Sequence, residues 1–84
     1  MPYNSKSFGI VISRLRMKKG LSQETFSAFA GIARSHLTTL ENGGKTVRLD
    51  TFCRIAEALE MKPSELMKLT EEEERKNKTT EDQK

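Results

Sequence analysis

The 84-residue sequence has few of the residues that build disulfide frameworks, metal clusters or membrane spans. It contains one cysteine, two prolines and no tryptophan. A single cysteine excludes an intramolecular disulfide and a zinc cluster of several thiolates, and we expect Cys53 to be buried by packing. No apolar run is long enough to cross a bilayer, and the first residues lack the hydrophobic segment of a signal peptide. We therefore expect a cytoplasmic protein.

The charges are distributed unevenly along the chain. Residues 1–69 contain eleven Lys or Arg and six Asp or Glu, whereas residues 70–84 contain four and six, which gives +5 and −2 and the net charge of +3. A basic domain suits the phosphate backbone of nucleic acid, because binding of its Lys and Arg side chains releases the counterions condensed on the nucleic acid. The excess of positive charge is modest, so it supports nucleic-acid binding only in combination with a sequence motif.

The stretch from residue 20 to residue 43 predicts two short helices joined by a tight turn. Ser22 is a good N-cap, so the second helix of the chain should begin near Gln23. Gly31 supplies the backbone freedom that the turn needs, and Gly43 ends the third helix. Such a helical hairpin is generic and also serves as a plain packing unit, so by itself it favours DNA binding only modestly.

Apolar residues recur at three- and four-residue spacing along each predicted helix, which places them on one face. The predicted buried faces carry Phe8, Ile12 and Leu15, then Phe26, Phe29 and Ala30, then Leu37 and Leu40, and finally Phe52, Ile55, Ala56 and Leu59. The polar faces of the third helix stay free for function. The sequence therefore predicts an all-α fold, a compact bundle of five short helices with a central helix-turn-helix.

The predicted organisation has three parts. Residues 1–6 form a flexible arm, residues 7–70 form the helix-turn-helix domain, and residues 71–84 form a charged tail. Pro63 suits the first position of the last helix, because it lacks the N–H that would be unpaired there. The tail has no apolar residue and cannot offset the entropy of ordering through burial. We expect a fraying helical extension from Glu71 to Lys76 and disorder after it.

Several short motifs occur in a fixed order: a basic first helix, the sequence Gly-Leu-Ser-Gln, a glycine at the turn, and a leucine-rich helix that ends in Glu-Asn-Gly. The residues are Arg14-Leu15-Arg16, Gly20-Leu21-Ser22-Gln23, Gly31-Ile32 and Leu40-Glu41-Asn42-Gly43. In this pattern the chain closely resembles the phage-repressor and Cro family of helix-turn-helix domains, also called the XRE family, over about residues 8 to 69. The resemblance implies a lambda-repressor-like fold that binds double-stranded DNA.

The resemblance also implies roles for individual residues. The base-contacting positions are Arg34, Ser35, Thr38 and Thr39, the phosphate-contacting positions are Gln23, Asn42, Lys45, Thr46 and Arg48, and an internal salt bridge joins Arg16 to Glu41. Arg34 is the strongest candidate, because a guanidinium can bridge O6 and N7 of guanine. A cation is also unfavourable beside the positive end of a helix dipole, which favours an anionic partner. Ala33 departs from the usual capping residue before this helix.

One domain of this size reads only a few base pairs, so two copies in a two-fold dimer would read a pseudo-palindrome with half-sites about 10–10.5 base pairs apart. Members of the family often dimerise through their last helices, which implies an interface at Leu66, Met67 and Leu69. These three residues fit the core of the monomer equally well. We expect a sequence-specific transcriptional regulator, a repressor that acts as a homodimer.

Other functions remain open. The chain also fits an antitoxin that binds a toxin through its tail, or a controller protein of a restriction–modification system. An interaction module without DNA binding is a weaker alternative. An enzyme is the weakest, because His36 has no nucleophile or acid to form a catalytic constellation with. We expect no metal site, since the carboxylates of residues 71–74 lie in the tail, and no cofactor.

Overall fold

The computed structural model describes the backbone of residues 4–82 and the side chains of residues 4–76. Within these residues the chain forms five helices and no strand. The helices are α1 (Ser5–Lys18), α2 (Gln23–Ala30), α3 (Arg34–Glu41), α4 (Leu49–Ala58) and α5 (Pro63–Asp82). The predicted all-α fold of five helices is confirmed.

The core lies where the five helices meet. Phe8 of α1 and Phe52 of α4 stack with their ring centroids 5.3 Å apart. The buried apolar side chains are Phe8, Val11, Ile12, Phe26, Ala30, Leu37, Leu40, Phe52, Ile55, Ala56, Leu59 and Leu66. Burial of one large apolar side chain contributes about 1.5–3 kcal/mol. This cluster therefore fixes α2 and α3 against the other three helices.

Phe29 does not belong to this core, and the prediction that it is buried is wrong. It is 64% exposed, whereas Phe26 and Ala30 of the same helix are buried. Seen along the axis of α2, Ala30 lies on one side of Phe26 and Phe29 on the other. The core covers the side that carries Ala30, so Phe29 faces solvent. Ser27 takes the remaining buried position, where its hydroxyl donates a hydrogen bond of 2.9 Å to the backbone oxygen of Glu24.

Three helix ends close through a glycine in the left-handed conformation. Gly20, Gly31 and Gly43 have φ values of 72°, 70° and 72°. After α4 the same conformation is taken by Glu60, with a φ of 59°. At such ends the next backbone N–H groups turn back onto the unpaired carbonyls of the last helical turn. The short turns thereby hold successive helices at fixed angles.

We expect Gly20→Ala to lower the free energy of unfolding by about 1 kcal/mol, the cost of forcing an L-residue into the left-handed region. A Cβ atom at this position meets no atom within 4 Å, so backbone strain is the only cost. Equilibrium unfolding in urea measures the change. An unchanged midpoint would show that the turn relaxes into another conformation.

Gly9 brings α1 unusually close to α3. A Cβ atom at Gly9 would lie 2.5 Å from the backbone oxygens of both Leu40 and Glu41. Real Cβ atoms do not approach backbone oxygens that closely, because the atoms would overlap. The absence of a side chain at this position therefore allows α1 to support the C-terminal half of α3.

Helix α1 begins at Ser5, earlier than the predicted boundary between a flexible arm (residues 1–6) and the domain. The side chain of Asn4 accepts hydrogen bonds from the backbone N–H groups of Lys6 and Ser7, each at 3.0 Å. This cap satisfies two donors that would otherwise be unpaired, so the helix starts here. The rest of the predicted arm, residues 1–3, lies outside the described residues.

Helix α5 includes the extension to Lys76 that the sequence predicts and continues to Asp82. Nη2 of Arg14 donates to Oε1 of Glu73 at 2.9 Å, and Oγ of Ser7 donates to Oε2 of Glu74 at 3.1 Å. These polar contacts with α1 hold the first turn of the tail, which has no apolar residue to bury. The last two residues of the tail lie outside the described part.

Candidate nucleic-acid interface

The second and third helices form the motif on which the candidate interface is built. Gly31 ends α2, and the backbone N–H of Ile32 donates to the oxygen of Ser27 at 3.0 Å, which reverses the chain. Leu37 and Leu40 are buried and fix one face of α3 to the core. The opposite face of α3 is consequently presented to solvent.

The exposed face of α3 carries three of the four predicted base-contacting residues, Arg34, Ser35 and Thr39. Among the described residues, the guanidinium of Arg34 has no hydrogen-bond or ion-pair partner. The hydroxyl of Thr39 donates to the backbone oxygen of Ser35 at 3.0 Å. This face therefore combines an unpaired cation with small polar groups, a composition suited to the edges of base pairs in a major groove.

Thr38, the fourth predicted base-contacting residue, is half-buried and faces α2. Its hydroxyl lies 3.1 Å from Oε1 of Gln23 and 3.1 Å from the backbone oxygen of Arg34. The structure thus brings Thr38 to Gln23, which was predicted to contact phosphate. The amide of Gln23 is itself half-buried, between α2 and α3.

Arg16 and Glu41, the expected salt bridge, are joined in a bidentate pair. Nε of Arg16 lies 2.7 Å from Oε2 of Glu41, and Nη2 lies 3.0 Å from Oε1. The two side chains are only 12% and 5% exposed. The hydrogen bond with Glu41 raises the pKa of the Arg16 guanidinium above its ordinary value, against the opposing effect of burial. Arg16 therefore stays charged at any pH at which the protein is used.

Two further hydrogen bonds extend the Arg16–Glu41 ion pair. Nη1 of Arg16 donates to the backbone oxygen of Leu21 at 2.7 Å, and Nε2 of Gln23 donates to Oε1 of Glu41 at 3.0 Å. Glu41 thus connects α1, the start of α2 and the end of α3. Charge-assisted hydrogen bonds of this kind are about twice as strong as neutral ones.

The loop after α3 presents the other predicted phosphate contacts, Asn42, Lys45, Thr46 and Arg48, all of which are exposed. Nε of Arg48 lies 3.5 Å from Oδ1 of Asp50, a solvent-exposed pair that leaves the cation accessible. A pair of this kind contributes little to stability. The loop is therefore free to place its polar and basic groups beside a phosphate backbone.

Lys6 is a basic residue near this loop that the sequence analysis assigned to the flexible arm. A Cβ atom at Gly43 would lie 2.8 Å from Cα of Lys6, so the start of α1 packs against the loop. Lys6 is exposed and adds positive charge on this side of the domain. The sequence signal that locates it is the Asn4 cap, which places Lys6 in the first turn of a helix.

The three residues of the expected dimer interface do not share one environment. Leu66 is 0% exposed and belongs to the core of the subunit, so it cannot contact a second copy directly. Its side chain lies on the same face of α5 as Thr70, which is also buried. Met67 and Leu69 are half-buried and pack against the edge of the core. Of the three predicted residues, only Met67 and Leu69 have exposed surface that a second copy could contact.

Two other kinds of site are absent from the part of the chain that the structure describes. No group of three His, Cys, Asp or Glu side chains lies close enough to hold a metal ion there. None of the helices over residues 4–82 has the length and apolar character needed to span a bilayer. The exposed face of α3 and the adjoining loop carry three exposed cations, Arg34, Lys45 and Arg48, among polar side chains.

Comparisons with known proteins identify the family. A sequence model described as helix-turn-helix (HTH_3) matches residues 12–66. An "uncharacterized HTH-type transcriptional regulator y4dJ" from Sinorhizobium fredii is 36% identical over 67 residues, which cover 80% of this chain and 87% of the relative. The residues matched by the sequence model include α2, α3, α4 and the first turn of α5.

Solved structures agree with this assignment. The restriction-modification controller protein C.AhdI from Aeromonas hydrophila is 39% identical, with a TM-score of 0.71 over 74% of this chain and 94% of that protein. The clp gene regulator ClgR from Corynebacterium glutamicum shares the fold, with a TM-score of 0.87 at 18% identity over 93% of this chain and 83% of that protein. The chain belongs to the XRE-type helix-turn-helix family, a family of DNA-binding transcriptional regulators.

Proposed function

We propose that the protein binds a pseudo-palindromic DNA operator as a homodimer, with α3 of each copy in the major groove, and represses transcription by occluding a promoter. The observation that carries this proposal is the solvent-exposed face of α3, on which the guanidinium of Arg34 has no partner in the described part of the chain. A cation held at the start of a helix, without a counterion, is best satisfied by an external acceptor.

The proposed contacts divide into two groups with different consequences. Arg34, Ser35 and Thr39 contact base edges and determine which sequence is bound. Gln23 and the loop residues Asn42, Lys45, Thr46 and Arg48 contact phosphates, which position the domain without reading sequence. Lys6 lies beside the loop and adds to the second group.

Dimerisation lengthens the DNA sequence that is recognised, because a single α3 contacts only a few base pairs. A two-fold dimer presents two copies of α3 to successive major grooves, so the half-sites should be separated by about 10–10.5 base pairs or a multiple of that distance. We place the contact between subunits at the half-buried side chains Met67 and Leu69 of α5. Selection of bound sequences from a random pool of duplex DNA tests this arrangement, because a dimer returns a palindrome whereas a monomer returns a single half-site.

A restriction–modification controller is a second candidate role. It is favoured by the 39% identity with C.AhdI, whose sequence is covered over 94% of its length. Both roles use the same DNA contacts, and they differ in the regulated genes. Activation as well as repression of a reporter placed under the selected operator would favour the controller, whereas repression alone favours the simple repressor. An antitoxin would instead co-purify with a small toxin.

We expect Arg34→Ala to weaken binding to the selected operator by about tenfold to a hundredfold and binding to random duplex DNA much less, since a bidentate contact with guanine contributes roughly 1–3 kcal/mol of discrimination. Arg48→Ala should weaken both complexes alike and reduce the salt dependence of binding. Fluorescence anisotropy at several salt concentrations measures both effects. Equal losses on the two DNAs for Arg34→Ala would contradict the assignment of Arg34 to base recognition.

A further inference from the structure

Donor and acceptor chemistry fixes the orientation of the Gln23 side chain. The carboxylate of Glu41 has acceptors only, so the group of Gln23 that faces it at 3.0 Å is Nε2. The amide oxygen of Gln23 must then point the other way. It lies 3.1 Å from the hydroxyl of Thr38, which is its hydrogen-bond donor in the described structure.

Two contacts are needed to hold the plane of the amide. The bond to Glu41 alone leaves the amide free to rotate about that contact, whereas the hydroxyl of Thr38 fixes its second end. Nε2 has two protons, and only one of them is used by Glu41. The other proton remains available to an external acceptor, in a direction that the two contacts determine together.

Thr38 is poorly placed to read a base. It is half-buried, and its hydroxyl is shared between Gln23 and the backbone oxygen of Arg34. A hydroxyl has a single proton, so donation to a base would remove the contact that orients Gln23. Ser35 and Thr39 are exposed on the same helix and have no such conflict.

We propose that Thr38 is a positioning residue, which orients the amide of Gln23 toward one DNA phosphate and does not itself recognise sequence. This inference rests on the proposed DNA binding and assigns a different mode of action to one residue of the interface. The hydrogen-bonded series Arg16, Glu41, Gln23 and Thr38 then links the interior of the domain to a single phosphate contact.

The test uses the full chain and the palindromic duplex selected from the random pool. Each phosphate of one half-site is replaced in turn by a neutral methylphosphonate, and each base pair is substituted in turn. In the wild type, we expect neutralisation of the phosphate that Gln23 contacts to weaken binding about tenfold. In Gln23→Ala, neutralisation of the same phosphate should have no effect on binding. Thr38→Val, which keeps the shape and removes the hydroxyl, should abolish it at the same phosphate and weaken binding to the unmodified duplex by about tenfold.

Two outcomes decide the matter. Thr38→Val should leave the penalties for base substitution unchanged, and Thr38→Ser should restore the wild-type pattern. Persistence of the phosphate sensitivity in Thr38→Val, or a changed preference at one base pair, would overturn the inference. Thr38→Ala serves as a second variant without the hydroxyl if the valine protein unfolds. Failure of the wild type to bind any duplex would instead overturn the proposed function itself.

Discussion

The Glu41→Ala protein should unfold at a much lower temperature than the wild type and should also bind DNA more weakly. The Glu41 carboxylate is 5% exposed and accepts hydrogen bonds from both Arg16 and Gln23. Its removal leaves a guanidinium that is 12% exposed without a counterion, a loss that costs about 3–5 kcal/mol. For a domain of this size the melting temperature should fall by roughly 15 °C or more, which circular dichroism measures.

A double variant separates the loss of the carboxylate from the exposure of an unpaired charge. Arg16→Met combined with Glu41→Leu removes both charges and should recover most of the stability. Its DNA affinity should stay low, because Gln23 has lost its acceptor. Glu60→Ala, which breaks the solvent-exposed pair with Lys19, should cost less than about 1 kcal/mol. A Glu41→Ala protein that melts at the wild-type temperature would contradict this account.

The second large effect is expected from Gly9→Ala. The added methyl group collides with the backbone oxygens of Leu40 and Glu41, so α1 and α3 must separate. Overpacking against rigid backbone costs about 3 kcal/mol, from which the higher helix propensity of alanine recovers about 1 kcal/mol. We expect a net loss of about 2 kcal/mol in the free energy of unfolding, measured in urea.

Gly20→Ala is the matched control for this variant. Gly20 has a positive φ and free space around it, whereas Gly9 lies inside a helix against the backbone of α3. Gly20→Ala therefore tests backbone strain without crowding, whereas Gly9→Ala tests crowding inside a helix without strain from a positive φ. Because the displaced segment is α3, Gly9→Ala should also weaken operator binding at temperatures where the protein is folded. Stability equal to that of the wild type would show that separating α1 from α3 costs no more than the helix propensity of alanine recovers.

The parts of the fold that could be predicted from the sequence are those determined locally. Ser22, Gly31 and Gly43 act on the backbone within a few residues of themselves, and the start of α2 and the turn after it lie where these residues predict. The apolar faces of α3 and α4 likewise follow from residue spacing. The Arg16 and Glu41 pair, in contrast, was accessible only through the resemblance to a known family, since 25 residues separate the two side chains.

The parts that could not be predicted depend on contacts between distant segments. The tail carries no apolar residue, and the partners that hold it, Arg14 and Ser7, are on α1. Phe29 matched the apolar period of α2, but the actual core face includes Ser27. Thr38 was grouped with the base contacts because of its place on α3. Its contact with Gln23 depends on the packing of α2 against α3, which residue spacing does not predict.

The solvent-facing position of Arg34 and Ser35 has an evolutionary consequence. Both side chains are exposed, so under the proposed mode of DNA binding their replacement alters target preference with little effect on folding. Glu41, in contrast, is constrained, because its replacement alone leaves the buried guanidinium of Arg16 without a counterion. Duplicated genes of this type can therefore diverge toward separate targets through single codon changes at the first two positions of one helix, without first acquiring compensating mutations.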